Sequence, residues 1–105
     1  MTDEKITIIV ANYNNHRYLP ECVISLKNQT LPQSRFKVIF CDDCSIDGSW
    51  GYIKSFCECD WDKSHYSCFR NYKNAGYTNS LTYLLNRVHT DIVGILDPDD
   101  AVFPI

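Results

Sequence analysis

In Phe36–Gly48, FKVIFCDDCSIDG, an apolar run passes directly into a polar turn, and this pattern is the strongest indication of the fold. The run FKVIFC, residues 36–41, has the length and composition of a buried β-strand. The segment DDCSIDG that follows predicts a turn at the carboxyl end of that strand. Ser45 or Asp47 is the predicted N-cap of the next helix, which we expect to run to about Cys57.

Three further strands are predicted on either side of this one. They are Lys5–Ala11 (KITIIVA), His65–Arg70 and Asp91–Leu96 (DIVGIL). Two more helices are predicted between the strands from apolar side chains spaced i, i+3, i+4, i+7, because such side chains share one helical face. These side chains are Leu19, Cys22, Val23 and Leu26 in the first helix, and Leu81, Leu84, Leu85 and Val88 in a second helix over Asn79–His89.

The order β-α-β-α-β-α-β predicts the α/β fold class, with a mostly parallel, Rossmann-like β-sheet flanked by helices. A chain of 105 residues has the size of one domain, so we expect a single domain over residues 1–105. The chain stops at Val102–Ile105 without closing an element. We therefore expect the domain to be truncated at its C-terminal end.

Composition excludes several classes of protein. The formal net charge is -3, and no Lys/Arg cluster offers a surface for nucleic acid. No apolar run approaches the roughly 20 residues that a membrane span needs, and the N-terminus lacks the layout of a signal peptide. We therefore expect a cytoplasmic location, or the cytosolic face of a membrane, and no nucleic-acid partner.

The six cysteines suggest two alternative functions. Cys41–Cys44 (CDDC) is a CxxC motif inside a βαβ pattern, which can indicate a redox site. A zinc module would use Cys41, Cys44, Cys57 and either Cys59 or Cys68. We expect neither, because Cys41 ends an apolar strand beside two aspartates that raise a thiol pKa, and Cys-Glu-Cys is not a zinc knuckle. The thiols are instead expected to behave as small buried hydrophobes.

The residues suited to chemistry follow the carboxyl ends of the strands, where open α/β sheets bind ligands. Asn12–Asn14 follows the first strand, the pair Asp42–Asp43 follows the second, and Asp97–Asp100 (DPDD) follows the fourth. Five carboxylates at one edge would repel one another unless a hard cation such as Mg²⁺ or Mn²⁺ binds there. The cation can bridge to an anionic diphosphate. Tyr13 can stack on a flat base, and one acid of the pair can accept a hydrogen bond from a base N–H.

Five segments, in this order and spacing, resemble the N-terminal half of GT-A-fold, family 2 glycosyltransferases, and the likeness covers nearly the whole chain. The segments are TIIVANYNN (Thr7–Asn15), VISLKNQT (Val23–Thr30), VIFCDDCSIDGS (Val38–Ser49), NAGYTNSLTYLL (Asn74–Leu85) and DIVGILDPDDAVFP (Asp91–Pro104). Two positions depart from the family's pattern. Ala11 stands where proline is common, and Cys44 stands where glycine or asparagine is frequent.

The resemblance implies contacts with the base of a nucleotide. Tyr13 would stack on the base, usually uracil, in a pocket that Ala11 also lines. Asp43 would hydrogen-bond the base, with Asp42 beside it. These four residues are the expected base-binding residues.

The resemblance also implies a metal site and a diphosphate site. Asp97 and Asp99 would be the outer acids of the family's DxD motif. Asp99 would bind the metal, Asp97 would reach the ribose or a metal-bound water, and Asp100 is a further metal candidate. The loop containing Asn74 and Gly76 would lie near the diphosphate and the sugar.

As a whole, the resemblance implies a glycosyltransferase that uses Mn²⁺ or Mg²⁺ as cofactor. It would transfer a sugar from a nucleotide-diphosphate sugar, typically a UDP-sugar, with inversion to a hydroxyl of a glycan, lipid or protein acceptor. An inverting transfer needs a general base, which the resemblance implies beyond Ile105. We therefore expect the 105-residue chain by itself to bind the donor without catalysing transfer. The alternative is a non-catalytic module that binds nucleotide sugars.

Overall fold

The computed structural model describes residues 6–28, 36–59 and 65–99, without the side chain of Cys59. In these residues, strands and helices alternate along the chain. The strands are β1 (Ile6–Asn12), β2 (Phe36–Asp42), β3 (Tyr66–Arg70) and β4 (Ile92–Ile95). The α-helices are α1 (Leu19–Lys27), α2 (Ser49–Cys59) and α3 (Tyr77–Leu85), and a short 3₁₀ turn, His16–Tyr18, precedes α1.

The four strands form one sheet in the order β3-β2-β1-β4, and every neighbouring pair is parallel. The predicted α/β class with a parallel, Rossmann-like sheet is therefore confirmed. From β1, the chain adds β2 and then β3 on one side of the sheet. It then crosses back and adds β4 on the other side of β1. The reversal makes the carboxyl ends of β1 and β4 the topological switch point, where sheets of this kind bind ligands.

Helices cover both faces of the sheet. On one face, α1 and α2 pack on side chains of the central strands, and the core there contains Val10, Leu19, Cys22, Val23, Leu26, Phe36, Val38, Phe40, Ile53 and Cys57. On the other face, α3 packs through Leu84 on Ile9, Ala11, Ile39 and Cys41. The two clusters alternate along β1 and β2, because successive side chains of a strand point to opposite faces.

The prediction for α1 is confirmed. Its predicted apolar face is buried in full, at Leu19, Cys22, Val23 and Leu26. Pro20 lies in the first turn, where its missing N–H costs no helical hydrogen bond. The predicted end of this helix at Thr30–Pro32 lies outside the described residues, as do the end of the chain at Val102–Ile105 and Asp100.

The prediction for α3 is wrong at both ends, because the helix spans Tyr77–Leu85 instead of Asn79–His89. It ends early because the N–H groups of Arg87 and Val88 bond to carbonyls only three residues back, which tightens the chain into turns. Leu84 is buried as predicted, but Leu85 is 44% exposed. Spacing alone could not distinguish these neighbours, since it does not fix which helical edge meets the sheet.

The early start of α3 depends on Gly76. This residue has φ 93° and ψ 155°, a backbone conformation that is essentially restricted to glycine. We expect Gly76→Ala to reduce the free energy of unfolding by about 1–3 kcal/mol through this strain alone, because a Cβ there would meet no atom within 4 Å. Urea unfolding measures the effect.

Gly51 provides the matched control for Gly76. It lies inside α2 and has no unusual backbone angle, and a Cβ added there would likewise meet no atom within 4 Å. Gly51→Ala is therefore expected to raise the free energy of unfolding by about 0.5–1 kcal/mol. A Gly76→Ala variant as stable as Gly51→Ala would show that the backbone at residue 76 is not strained by a side chain.

At the edge of the sheet, β4 exposes apolar side chains. Ile92, Val93 and Ile95 are between 40% and 56% exposed, whereas Leu96 directly after the strand is buried. The predicted strand Asp91–Leu96 is thus observed over its four central residues. In the described part of the chain, no helix has the length and apolar character needed to cross a membrane.

Candidate functional site

The carboxyl ends of β1 and β2 are joined by the buried carboxylate of Asp42. Its Oδ1 accepts hydrogen bonds from Asn12 Nδ2 at 2.9 Å and Ser45 Oγ at 2.7 Å, and its Oδ2 accepts one from the Ser45 N–H at 2.9 Å. Asp42 has no exposed surface. The geometry therefore gives Asp42 a role in the turn, and its contact with substrate stays a prediction.

Two hydrogen bonds connect the loop that carries Tyr13 to the turn after β2. The Asn14 N–H donates to Ser45 Oγ at 2.9 Å, and Asn14 Oδ1 accepts from the Ile46 N–H at 3.0 Å. Asn14 has φ 54°, a left-handed conformation that asparagine tolerates better than most residues. These bonds hold the backbone beside Tyr13, whose side chain is 47% exposed and faces the site.

Asp47 supports the same pair of loops from the outside. Its Oδ2 accepts the His16 N–H at 3.0 Å, and its Oδ1 accepts the N–H of Ser49, the first residue of α2, at 3.0 Å. Asp47 thus accepts the first N–H of α2 from one position before the N-cap, Gly48, so the predicted cap is displaced by one residue. Ser45 has no such role, because it bonds to Asp42 instead. Burial by itself raises the pKa of Asp47, but hydrogen bonds from Ser49 and His16 outweigh it and lower the pKa.

Asp43 holds the loop that leads into α3. Its Oδ1 accepts bonds from Asn71 Nδ2 at 2.9 Å and the Ala75 N–H at 2.7 Å, and its Oδ2 accepts the Gly76 N–H at 2.9 Å. Burial by itself raises the pKa of this carboxyl, but the three donors outweigh it and hold the pKa below its usual range. Asp43 is therefore ionised at neutral pH, although it is only 4% exposed.

A cavity of about 230 Å³ lies at the carboxyl ends of β1 and β2, between these loops and α3. Its walls are formed by Ala11, Asn12, Tyr13, Asp43, Asn74, Gly76, Tyr77 and Ser80. Sites that enclose a whole small-molecule ligand measure roughly 300–1,000 Å³. This cavity therefore has room for a flat ring such as a nucleobase, with the rest of a larger ligand lying outside it.

An acidic turn follows β4 at the mouth of the cavity. Asp97 and Asp99 are exposed and Pro98 between them is buried, so both carboxylates face solvent. The Tyr77 hydroxyl donates a 2.9 Å hydrogen bond to Asp97 Oδ1. Burial, and then the hydrogen bond and the charge of Asp97, raise the pKa of Tyr77, which stays a protonated donor at neutral pH.

The donor atoms of this turn suit a hard divalent cation. Asp97 and Asp99 offer carboxylate oxygens that are open to solvent, and Mg²⁺ and Mn²⁺ commonly take one or two such ligands together with substrate phosphates. Across residues 6–28, 36–59 and 65–99, no group of three His, Cys, Asp or Glu side chains is placed to hold a metal by itself.

Of the predicted site residues, the structure brings Ala11, Tyr13, Asp43, Asn74 and Gly76 together around the cavity. It connects Asp97 to the cavity wall through the contact with Tyr77, with Asp99 two residues further along the chain, and it leaves Asp42 inside the turn.

Sequence reasoning missed three residues of the site, Asn71, Tyr77 and Ser80, and it noted Asn12 at the end of the first strand without giving it a role. Asn71 directly follows β3, so the rule of strand ends that singled out the other loops could have found it. Tyr77 and Ser80 gave no comparable signal, since both were expected in or near a helix of ordinary composition.

The cysteine contacts are unfavourable to the redox alternative. Cys41 is fully buried, and burial raises its pKa; a hydrogen bond with Ser80 opposes this, while the charges of Asp43 and Asp42 add to it. A reactive thiol needs the opposite conditions. Cys44, the second cysteine of the CxxC motif, is a turn residue with φ 60° whose thiol donates to the Tyr72 carbonyl at 3.5 Å.

The fold also separates the cysteines that a zinc module would need. Cys41 belongs to the core under α3, whereas Cys57 belongs to the core on the opposite face of the sheet. Cys68 on β3 forms a hydrogen bond with Cys57, which lowers its pKa. Because the sheet lies between Cys41 and this pair, these three thiols cannot share one tetrahedral ion.

Comparison with known proteins gives a consistent family signal. Glycosyl transferase family 2 matches residues 7–105. Glycosyltransferase GlyA of Streptococcus pneumoniae is 32% identical over 102 residues, which cover 97% of this chain and 14% of GlyA. The chain therefore spans about one seventh of the length of this relative.

Two solved structures share the fold. Residues 1–349 of TarS from S. aureus, in complex with UDP, superpose with a TM-score of 0.83 at 26% identity, covering 94% of this chain and 28% of that one. Mannosyltransferase PcManGT from Pyrobaculum calidifontis, in complex with GDP-Man and Mn²⁺, gives a TM-score of 0.82 at 23% identity, covering 90% and 27%. At 23% identity the second likeness shows the fold alone.

Proposed function

The chain belongs to glycosyl transferase family 2, and from this premise we propose that its cavity binds the nucleotide of a sugar donor, a UDP-sugar. The observation that carries the proposal is the base-sized cavity at the carboxyl ends of β1 and β2 with an open pair of carboxylates at its mouth. A UDP-sugar has matching parts in the same order: a flat base, a ribose, and a diphosphate that a cation can bridge to acids.

Within the cavity, Tyr13 and Asp43 are the proposed base contacts. The half-exposed ring of Tyr13 can stack on uracil, and the small side chain of Ala11 leaves room beside it. Asp43 already accepts three hydrogen bonds, but an ionised carboxylate has about four acceptor sites. The remaining site can accept the N–H of uracil while the other three hold the loop.

At the mouth of the cavity, Asp99 and Asp97 are the proposed ligands of Mn²⁺ or Mg²⁺, with Asp100 as a further candidate from the sequence. When bound, such a cation stabilises the charge that develops on a departing diphosphate. Asn74 and Gly76 line the adjacent wall, where their backbone can approach the diphosphate and the sugar.

Transfer of the sugar to an acceptor hydroxyl, with inversion, is proposed for the protein as a whole. The chain covers 14% of GlyA and 28% of the TarS structure, so the general base and the acceptor site are assigned to no residue here. Donor binding is the part of the function that the described residues support. A module that binds the nucleotide sugar without transferring it is the alternative. Hydrolysis of a UDP-sugar by the chain would exclude that alternative, whereas its absence fits both, since the chain by itself is expected to bind the donor without catalysis.

Calorimetric titration of the chain with UDP, in Mn²⁺ and in EDTA, tests the proposal. We expect one binding site whose affinity for UDP rises with Mn²⁺, since the cation links the diphosphate to the acidic turn. Titration with CDP and with ADP in the same buffer tests whether the base is read. Binding that is absent from well-folded protein, or that is unaffected by Mn²⁺, would contradict the proposal.

A substitution at Tyr13 tests the stacking contact. We expect Tyr13→Ala to weaken UDP binding about tenfold, because stacking of a base on an aromatic ring contributes roughly 1–3 kcal/mol. The control is Tyr72→Ala, since Tyr72 is fully exposed and does not line the cavity. UDP affinity is measured by calorimetry. Equal affinities of the two variants would show that Tyr13 does not contact UDP.

A further inference from the structure

The contact between Tyr77 and Asp97 joins the cavity to the acidic turn. Tyr77 lines the cavity, and its hydroxyl reaches Asp97 from a position 20 residues earlier in the chain. We propose that Tyr77 is a positioning residue that holds the Asp97 carboxylate in the orientation required by the cation and the diphosphate of the donor. The inference rests on the proposed function of the same site.

The position of Tyr77 is itself fixed by the base-binding end of the site. It is the first residue of α3, and the N–H of Gly76 directly before it donates to Asp43 at 2.9 Å. The backbone that carries the Tyr77 ring is therefore held in place by the buried carboxylate of Asp43. Asp43, Gly76, Tyr77 and Asp97 form a continuous line of contacts from the end of β2 to the turn after β4.

The hydrogen bond leaves part of the Asp97 carboxylate available. Tyr77 occupies Oδ1, and in the described part of the chain no side chain donates to Oδ2. Oδ2 can therefore face a cation or a ribose hydroxyl while Oδ1 is held. An exposed aspartate without such a contact samples several rotamers, and binding would have to immobilise it.

The hydroxyl and the ring of Tyr77 have separable effects. The ring is a wall of the cavity, which phenylalanine would preserve, whereas only the hydroxyl reaches Asp97. Side chains that orient a metal ligand typically change metal affinity about 10–100-fold when they are removed. Because Tyr77 is 51% exposed, we expect the effect at the lower end of that range.

The test measures UDP affinity at a series of Mn²⁺ concentrations and in EDTA, for the unmodified chain, Tyr77→Phe and Tyr77→Ala. Tyr72→Phe is the matched control, because it removes the same hydroxyl from a fully exposed ring. Tyr77→Phe is expected to keep UDP affinity in EDTA within about twofold and to need about tenfold more Mn²⁺ for the same gain in affinity. Tyr77→Ala is expected to weaken UDP binding in EDTA as well.

Three outcomes would count against the inference. If Tyr77→Phe needs no more Mn²⁺ than the unmodified chain, the hydroxyl does not position Asp97. If Tyr77→Phe weakens UDP binding equally with and without Mn²⁺, its role is only structural. If Mn²⁺ does not raise the UDP affinity of the unmodified chain, the proposed function fails and this inference fails with it. If Mn²⁺ raises the UDP affinity of the unmodified chain and one of the first two outcomes is found, only the inference about Tyr77 fails.

Discussion

The Asp43→Ala variant is expected to lose about 3–4 kcal/mol of the free energy of unfolding. The carboxylate accepts the N–H groups of Ala75 and Gly76 and the Asn71 amide, and its removal leaves these donors without their acceptor. Hydrogen bonds to a charged group contribute about 1.5–3 kcal/mol each, and their losses are not additive. A domain is typically stable by only about 5–15 kcal/mol, so the variant should be close to unfolding.

Urea unfolding of Asp43→Ala, Asp43→Asn and Asp47→Ala tests this expectation. Asp43→Asn keeps the shape and one acceptor oxygen, so it should lose less than Asp43→Ala. Asp47→Ala is the matched control. It removes an exposed acid from the same turn, where Asp47 accepts the first N–H of α2, and it should reduce the free energy of unfolding by about 1 kcal/mol. Equal losses for Asp43→Ala and Asp47→Ala would show that the loop before α3 does not depend on Asp43.

The pH dependence of stability provides a second measurement on Asp43. Its pKa is lower in the folded chain than the ordinary value of about 3.9, so the unfolded chain binds the proton more readily. The stabilisation is therefore present above the unfolded pKa and is lost as the pH falls through the lower, folded pKa. Between about pH 5 and pH 3, the stability of Asp43→Asn should fall less steeply than that of the unmodified chain.

The Asp99→Ala variant is expected to lose the Mn²⁺-dependent part of UDP binding, a decrease of about 100-fold or more in affinity at saturating Mn²⁺. The Asp99 side chain is exposed, and it lies two residues after Asp97, which contacts the cavity wall at Tyr77. Removing a metal ligand should cost at least as much as removing a residue that orients one, which is about 10–100-fold.

Three comparisons make the Asp99 measurement specific. Asp91→Ala removes an exposed acid from the opposite end of β4, and it should leave UDP binding unchanged. UDP affinity in EDTA should be the same for Asp99→Ala and the unmodified chain, or slightly higher for the variant, because a like charge near the diphosphate is gone. Undiminished Mn²⁺ dependence in Asp99→Ala would exclude Asp99 as a ligand.

The site shows how far reasoning from the sequence can reach. The rule that ligands bind at the carboxyl ends of strands singled out Tyr13, Asp43 and the acidic turn as candidates, because strand ends can be located from local hydrophobic patterns. It did not separate Asp42 from Asp43. Asp42 is the last residue of β2 and Asp43 is the next, but Asp42 accepts hydrogen bonds from Asn12 and Ser45, whereas Asp43 accepts them from the loop before α3.

The alternation of strands and helices was determined by the sequence alone, since periods of about 2 and 3.6 residues are local properties of the chain. The sheet order, the limits of α3 and the cavity were decided only by the tertiary structure. Asp43 accepts hydrogen bonds from residues that are 32 and 33 positions away in the sequence, and Tyr77 donates one to Asp97, which is 20 positions away. Local patterns carry no information about such partners, because these contacts exist only after the strands have taken their places in the sheet.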